Sequence, residues 1–165
     1  MKLFLEKALF INIAPFEKMD LVFNENEISV ISAVNGKGKT TIISYLADAI
    51  YEIAKTVFTG DFEGKEGKYY RVLSRLHSLN RSKGSYVYIR FKLDGENVDY
   101  IEISGDCSQQ EYEDVINITN KIPYGRLSGR ITLTGFKGVF INDKVNKESI
   151  FYKNILTYFP SYRYE

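Results

Sequence analysis

Apolar residues early in the chain follow two different rhythms. From Ile28 to Val34 they run almost unbroken, as in a short buried strand. From Thr40 to Val57 they recur at helical spacing, with Ile43, Leu46, Ala47, Ile50, Ile53, Ala54 and Val57 on one face and Ser44, Asp48, Glu52 and Lys55 on the other. The period switches at Asn35-Gly36-Lys37-Gly38-Lys39-Thr40. The stretch therefore predicts a strand over Ile28 to Ala33, a glycine-bearing loop and a helix over Thr40 to Val57, in direct succession.

Two short strands precede this unit. Residues 3 to 13 are apolar enough for one, which Pro15 breaks or confines to an edge, and Leu21-Val22-Phe23 predicts the other before a turn at Asn24-Glu25-Asn26-Glu27. After the helix, Thr59-Gly60 and the glycines at 64 and 67 predict a loop over 61 to 68, while residues 69 to 79 fit strand and helix equally. Residues 86 to 93 and 98 to 103 alternate around Asp94-Gly95-Glu96-Asn97, which is a hairpin pattern. Ser108 with Glu111 three positions on predicts a capped helix reaching Ile118. Pro123 and four glycines make 119 to 138 mostly loop with a short strand at 131 to 134, followed by a helix over Asp143 to Phe151 and a strand over Ile155 to Phe159. The expected fold is α/β: a mixed sheet, the helix Thr40 to Val57 behind the loop, and an antiparallel β-lobe containing the hairpin 86 to 103.

Composition narrows the function classes. At 165 residues, 44% hydrophobic and 26% charged, the chain is expected to form one globular domain over 1–165. A net charge of +1 gives no electrostatic case for nucleic acid or a membrane surface. One cysteine, Cys107, and one histidine, His77, exclude an intrachain disulfide and a Cys/His metal cluster. The apolar N-terminal stretch is interrupted by Glu6 and Lys7, and no run approaches the length that spans a bilayer, so a cytoplasmic location is expected. Lysines and arginines between 65 and 83 give that segment a basic cast, which a solvated face explains better than DNA contact does.

The loop carries the chemistry. Glycines let successive backbone N–H groups turn toward one anion, and the helix N-terminus behind them adds partial positive charge. The Walker A pattern Gly-x-x-x-x-Gly-Lys-Ser/Thr adds a lysine for the terminal phosphates and a hydroxyl for Mg²⁺. Gly38, Lys39 and Thr40 complete its second half, and Thr41 follows; Ala33 stands in place of the first glycine. Lys39 at the first turn reaches the β- and γ-phosphates in this reading, Thr40 ligates Mg²⁺, and amides from Gly36 to Thr41 hold the α/β-phosphates. Lys37 could add charge nearby, and Asn35 is a residue that tolerates a left-handed conformation before the turn. A β-carbon at 33 would cost about 1 to 2 kcal/mol only if that position needs positive φ.

With Asn12 and Phe16 upstream and Asn35-Gly36-x-Gly38-Lys39-Thr40-Thr41 after an apolar run, the sequence resembles the amino-terminal portion of ABC-type ATPase heads. These belong to the SMC and RecF-like group, which includes prokaryotic AAA family ATPases linked to DNA repair or phage defence. Ala14 stands where that group has arginine in an Asn-Phe-Arg-x-Phe-like turn. The end of the chain, Phe159-Pro160-Ser161-Tyr162-Arg163, is similar to the segment near the Q-loop of these ATPases. The resemblance implies ATP and Mg²⁺ as ligands and places Ser161 and Arg163 near the γ-phosphate. It further implies two heads closing on ATP as a homodimer, and leaves room for a DNA or effector-protein partner.

Hydrolysis in such heads depends on a Leu-Ser-Gly-Gly-Gln-like signature and a Walker B strand ending in Asp-Glu. Leu127-Ser128-Gly129-Arg130 and Val139-Phe140-Ile141-Asn142-Asp143 imitate them. No helix fits between the two, the glutamate is missing, and both precede the Q-loop-like segment instead of following it. The chain is therefore expected to bind ATP without efficient turnover. Two other readings stand beside this one: a small self-contained P-loop kinase or GTPase, and a non-enzymatic interaction module with a degenerate P-loop.

Overall fold

The computed structural model of the chain describes residues 3–60, 78–105, 108–114, 136–147 and 149–152. Its centre is a five-stranded sheet in the order β2-β1-β3-β4-β5. The strands are β1 (Leu3–Ile13), β2 (Phe16–Val22), β3 (Ser85–Leu93), β4 (Glu96–Ser104) and β5 (Phe136–Ile141), and every pairing among them is antiparallel. The helices are α1 (Lys39–Val57), α2 (Gln109–Tyr112) and α3 (Ser149–Tyr152). The antiparallel lobe is thus present, whereas the expected mixed sheet is not found among the described residues.

Local chemistry explains most of these elements. β1 and β2 pair from Lys7↔Val22 to Ile13↔Phe16, so Ala14 and Pro15 alone make the connection, and Pro15 sits where no ladder hydrogen bond is needed. β2 begins at Phe16, five residues before the start expected from sequence. The hairpin β3–β4 closes on Asp94 (φ 50) and Gly95 (φ 88), two positive-φ residues that match the right-handed twist of the strands. The Ser108 capping box is formed as expected, with the Ser108 hydroxyl accepting from the Glu111 amide and the Glu111 carboxylate accepting from the Ser108 amide. Asp143 to Phe151 is helical only from Ser149, after a turn closed by Val145 N–H donating to the Asn142 carbonyl.

Both faces of the sheet are covered. On one, Ala8, Phe10, Val87, Ile89, Phe91, Val98 and Tyr100 pack with Ile42, Tyr45, Ala49 and Ile53 of α1. On the other, Leu9, Tyr86, Tyr88, Ile101 and Ile103 pack with Tyr112 of α2 and Phe136. The α1 stripe is therefore rotated from the one expected: Ile43 is 42% exposed, while Ser44 and Asp48 are buried. Ser44 tolerates this because its hydroxyl donates to the Thr41 carbonyl at 3.0 Å. Glu52, also expected to face solvent, accepts from Lys55 at 2.8 Å and forms an ion pair with Lys137 at 3.0 Å, which ties α1 to β5.

One buried polar group sits across the hairpin. The Arg90 guanidinium donates to both carboxylate oxygens of Asp99, at 2.7 and 3.1 Å, and the Tyr88 hydroxyl donates to the same carboxylate at 2.6 Å. Burial first, and the Asp99 charge second, raise the Tyr88 phenol far above its ordinary range, which keeps it a donor. No helix among the described residues is long and apolar enough to cross a membrane. The segments 61 to 77, 115 to 135 and 153 to 165, with the strands expected at 131 to 134 and 155 to 159, lie outside the described residues.

Truncating Asp99 would strand the largely buried Arg90 charge. Asp99→Ala is expected to cost about 3 kcal/mol, read as a lower urea midpoint with the m-value unchanged. A loss under about 1 kcal/mol would show that the Arg90 charge is satisfied without this carboxylate.

Candidate functional site

The loop expected to hold phosphate is present, but the strand before it is not. Residues 28–34 carry no strand pairing, and Ile28, Val30 and Val34 are 95%, 83% and 70% exposed. A strand is defined by its ladder, and none of the five described strands lies alongside to supply one. The expected strand over Ile28 to Ala33 is corrected accordingly.

From Asn35 onward the backbone turns as the sequence requires. Gly36 (φ 79) and Gly38 (φ 87) take left-handed conformations that disfavour a side chain. Asn35 does not share them, so its left-handed tolerance is unused, and Ala33 has no positive φ either. The β-carbon at 33 therefore carries none of the strain it would have at a left-handed position.

The two glycines differ in surroundings. A β-carbon on Gly36 would meet nothing within 4 Å, whereas one on Gly38 would lie 2.3 Å from the Phe16 ring and 2.8 Å from the Pro15 ring. Gly38 thus rests on the β1–β2 turn. Sequence reading placed Phe16 in that turn only by resemblance and gave Pro15 no role beyond breaking the strand. The signal available was an aromatic immediately after a strand-breaking proline.

α1 starts at Lys39, one residue earlier than expected, with Gly38 as an N-cap that offers no side-chain acceptor and with no acidic residue in the first turn. The Ile42 amide donates to the Gly38 carbonyl at 3.0 Å. Among the described residues no acceptor meets the amides of Gly38, Lys39, Thr40 and Thr41. Four donors therefore lie in succession at the positive end of a nineteen-residue helix. Such an arrangement can bind an anion of several oxygens.

Side chains complete the site. The Lys39 ammonium donates to the Ala33 carbonyl and, at 3.1 Å, to the Val34 carbonyl, so it folds back over the loop it belongs to. Lys37 is exposed, its amide closing a turn onto the Val34 carbonyl at 3.4 Å. The Thr40 side chain is exposed and Thr41 half-buried. Ser161 and Arg163 lie outside the described residues, as do His77 and Leu127 to Arg130. Asn142-Asp143 follows β5, which is antiparallel to β4 and separated from β1 by two strands, so this Walker B imitation does not flank the loop.

Asn12, also singled out by resemblance, is buried (6% exposed) with φ 52. Its side-chain amide donates to the carbonyls of Asn80 (2.8 Å), Lys83 (3.1 Å) and Gly84 (3.2 Å), and its Oδ1 accepts from the Asn80 amide at 2.6 Å. It fastens the turn before β3 to the end of β1. Its bonds hold residues 80–85 against the end of β1, just before the β1–β2 turn on which Gly38 rests.

A family model described as an AAA domain matches residues 10–165. No curated protein matches the chain.

The contrast between the two glycines is measurable. Gly36→Ala is expected to cost about 1 to 2 kcal/mol from backbone strain alone. Gly38→Ala should cost at least about 1 kcal/mol more, because the Phe16 and Pro15 rings must also move. Equal thermal-melting losses for the two variants would contradict the packing of Gly38 on the β1–β2 turn.

Proposed function

The chain belongs to the AAA domain family, whose members are nucleotide-binding domains of ATPase type, and from that premise we propose that residues 35–41 bind the phosphates of ATP together with Mg²⁺. The observation that carries this reading is the row of amides from Gly38 to Thr41 at the head of α1, which meet no acceptor among the described residues and are opened by two left-handed glycines. The residues fit such a ligand on three counts. The donors meet no acceptor among the described residues, the space beside Gly36 is open, and no carboxylate lies in the first turn to repel an anion.

Each group then has a role. The amides from Gly36 to Thr41 hold the α/β-phosphate oxygens, with Asn35 entering the turn and Lys37 adding charge at its rim. Lys39 exchanges the Ala33 and Val34 carbonyls for β- and γ-phosphate oxygens, moving from neutral acceptors to charged ones, where its hydrogen bonds are stronger. The Thr40 hydroxyl ligates Mg²⁺, which supplies neutralisation of charge between the β- and γ-oxygens. In the finer form of the proposal, residues 1–165 are one ATP-binding unit of an ABC-type head of the SMC and RecF-like group. Such heads pair on ATP, and Ser161 and Arg163 contribute near the γ-phosphate; DNA or an effector protein is the further partner class.

Turnover is a separate matter from binding. The imitation of Walker B at Asn142-Asp143 sits past the far edge strand, so among the described residues no carboxylate is proposed to polarise water at this loop. The chain is proposed to bind nucleotide and to hydrolyse it slowly or not at all.

Calorimetry with MgATP tests the site. Lys39→Ala is expected to weaken binding at least about tenfold, a loss of about 1.4 kcal/mol or more, with the melting temperature of the free chain nearly unchanged. Thr40→Val should remove the dependence of affinity on Mg²⁺ while leaving weak binding in EDTA. Unaltered affinity in both variants would place any nucleotide elsewhere, and rapid Lys39-dependent hydrolysis by the isolated chain would overturn the account of turnover.

A further inference from the structure

Successive side chains of a strand point to opposite faces, and β1 breaks that rule at its end. Ala8 and Phe10 lie on the α1 side of the sheet, and Leu9 and Ile11 lie on the other, so regular alternation would put Ile13 beside Leu9 and Ile11. Ile13 is instead fully buried in the α1 cluster. The reversal falls at Asn12, whose φ of 52 is left-handed. Phe16 pairs directly with Ile13 and joins the same cluster, which brings its ring against Gly38. The backbone at Asn12 thus sets the side of the sheet on which the β1–β2 turn delivers the ring beneath the phosphate loop.

Few side chains suit that position. A left-handed φ favours glycine, asparagine and aspartate. Asn12 also uses both ends of its amide: the nitrogen lies 2.8, 3.1 and 3.2 Å from the carbonyl oxygens of Asn80, Lys83 and Gly84 and 3.1 Å from the Ser85 hydroxyl, while Oδ1 accepts from the Asn80 amide at 2.6 Å. Its own carbonyl accepts from the Leu79 amide at 3.2 Å and from the Ser85 hydroxyl at 3.0 Å. Glycine fits the backbone and makes no side-chain bond. Aspartate fits the backbone and accepts, yet sets a carboxylate against three carbonyl oxygens. Of the three, asparagine alone meets both demands.

We propose that Asn12 is a positioning residue for the phosphate loop: clamped by residues 79–85, it fixes the reversed end of β1 and, through the Pro15 and Phe16 rings, the height of Gly38 and of the amides that follow. Its effect passes through packing, not through contact with nucleotide. This role presupposes the reading of residues 35–41 as a phosphate site. The same bonds couple the turn before β3 to the loop, so a change confined to residues 79–85 also reaches nucleotide affinity.

Calorimetry with MgATP on the full chain tests it, at a temperature where melting curves show each variant folded. Asn12→Gly keeps the left-handed backbone and removes the side-chain bonds, and it is expected to weaken binding at least about fivefold. Asp99→Ala destabilises the chain through the β3–β4 hairpin and is expected to leave affinity within about twofold, which separates positioning from lost stability. Combining Asn12→Gly with Phe16→Leu should weaken binding by less than the product of the two single losses, since both act on Gly38. Ser85→Ala removes one of the bonds to Asn12 and is expected to weaken binding about twofold to threefold; it decides alone where Asn12→Gly does not fold. Unchanged affinity in Asn12→Gly or in Ser85→Ala, equal losses in Asn12→Gly and Asp99→Ala, or fully multiplicative losses in the double variant overturns the proposal. No saturable binding by the unaltered chain overturns the nucleotide reading and this role with it.

Discussion

The ring of Phe16 occupies the space a side chain at position 38 would need, and the placement of the loop follows from that contact. Phe16 is fixed by its pairing with Ile13 across the two-residue connection, and its ring lies 6.3 Å from that of Phe10 on β1. Phe10 in turn lies 5.8 Å from Tyr45, within the second turn of α1. This line of rings joins β2, β1 and the helix, so the first turn of α1 is held at one height over the sheet. Asn12 anchors the same corner from the other side through its bonds to Asn80, Lys83 and Gly84. A loop seated this way carries four amides, from Gly38 to Thr41, that meet no acceptor among the described residues.

That seating coexists with an unfinished approach to the loop. The sheet behind α1 is closed on both faces by the two apolar clusters, and its β2 edge is defended by charge. The segment entering the loop shares neither protection. The site thus has a floor, the β1–β2 turn, while the segment entering the loop has exposed side chains and, from Ile28 to Ser32, no backbone hydrogen bond among the described residues. Lys39 bridges the two by holding the Ala33 and Val34 carbonyls.

Much of this was legible in the sequence where local rules decide. Asp94-Gly95 between alternating runs specified the hairpin, and Ser108 with Glu111 specified a helix start, because both depend on residues within a few positions of each other. The Gly38-Lys39-Thr40 loop and the helix behind it were legible for the same reason. The apolar stripe of α1 was legible in part: Ala47 and Ile53 are buried and Leu46, Ile50 and Val57 pack against the core as expected, while Ile43 is exposed and Ile42, Tyr45 and Ala49 were missed, since overlapping faces share the helical period and only the sheet selects between them. The strand at 28–34 was expected from composition, yet a strand requires a neighbour that no local pattern provides. The packing of Phe16 on Gly38 spans twenty-two positions and was beyond any windowed reading. The family match over residues 10–165 carries the nucleotide-binding ATPase type and leaves the individual roles to the geometry.

Amide chemical-shift mapping of the ¹⁵N-labelled chain during MgATP titration tests the central claim most directly. The account predicts that Gly36, Gly38, Lys39, Thr40 and Thr41 move first and furthest, since their N–H groups are the proposed donors, while the β3–β4 hairpin stays still. Saturable shifts that spare these five amides, or no saturable shift at all, would contradict it.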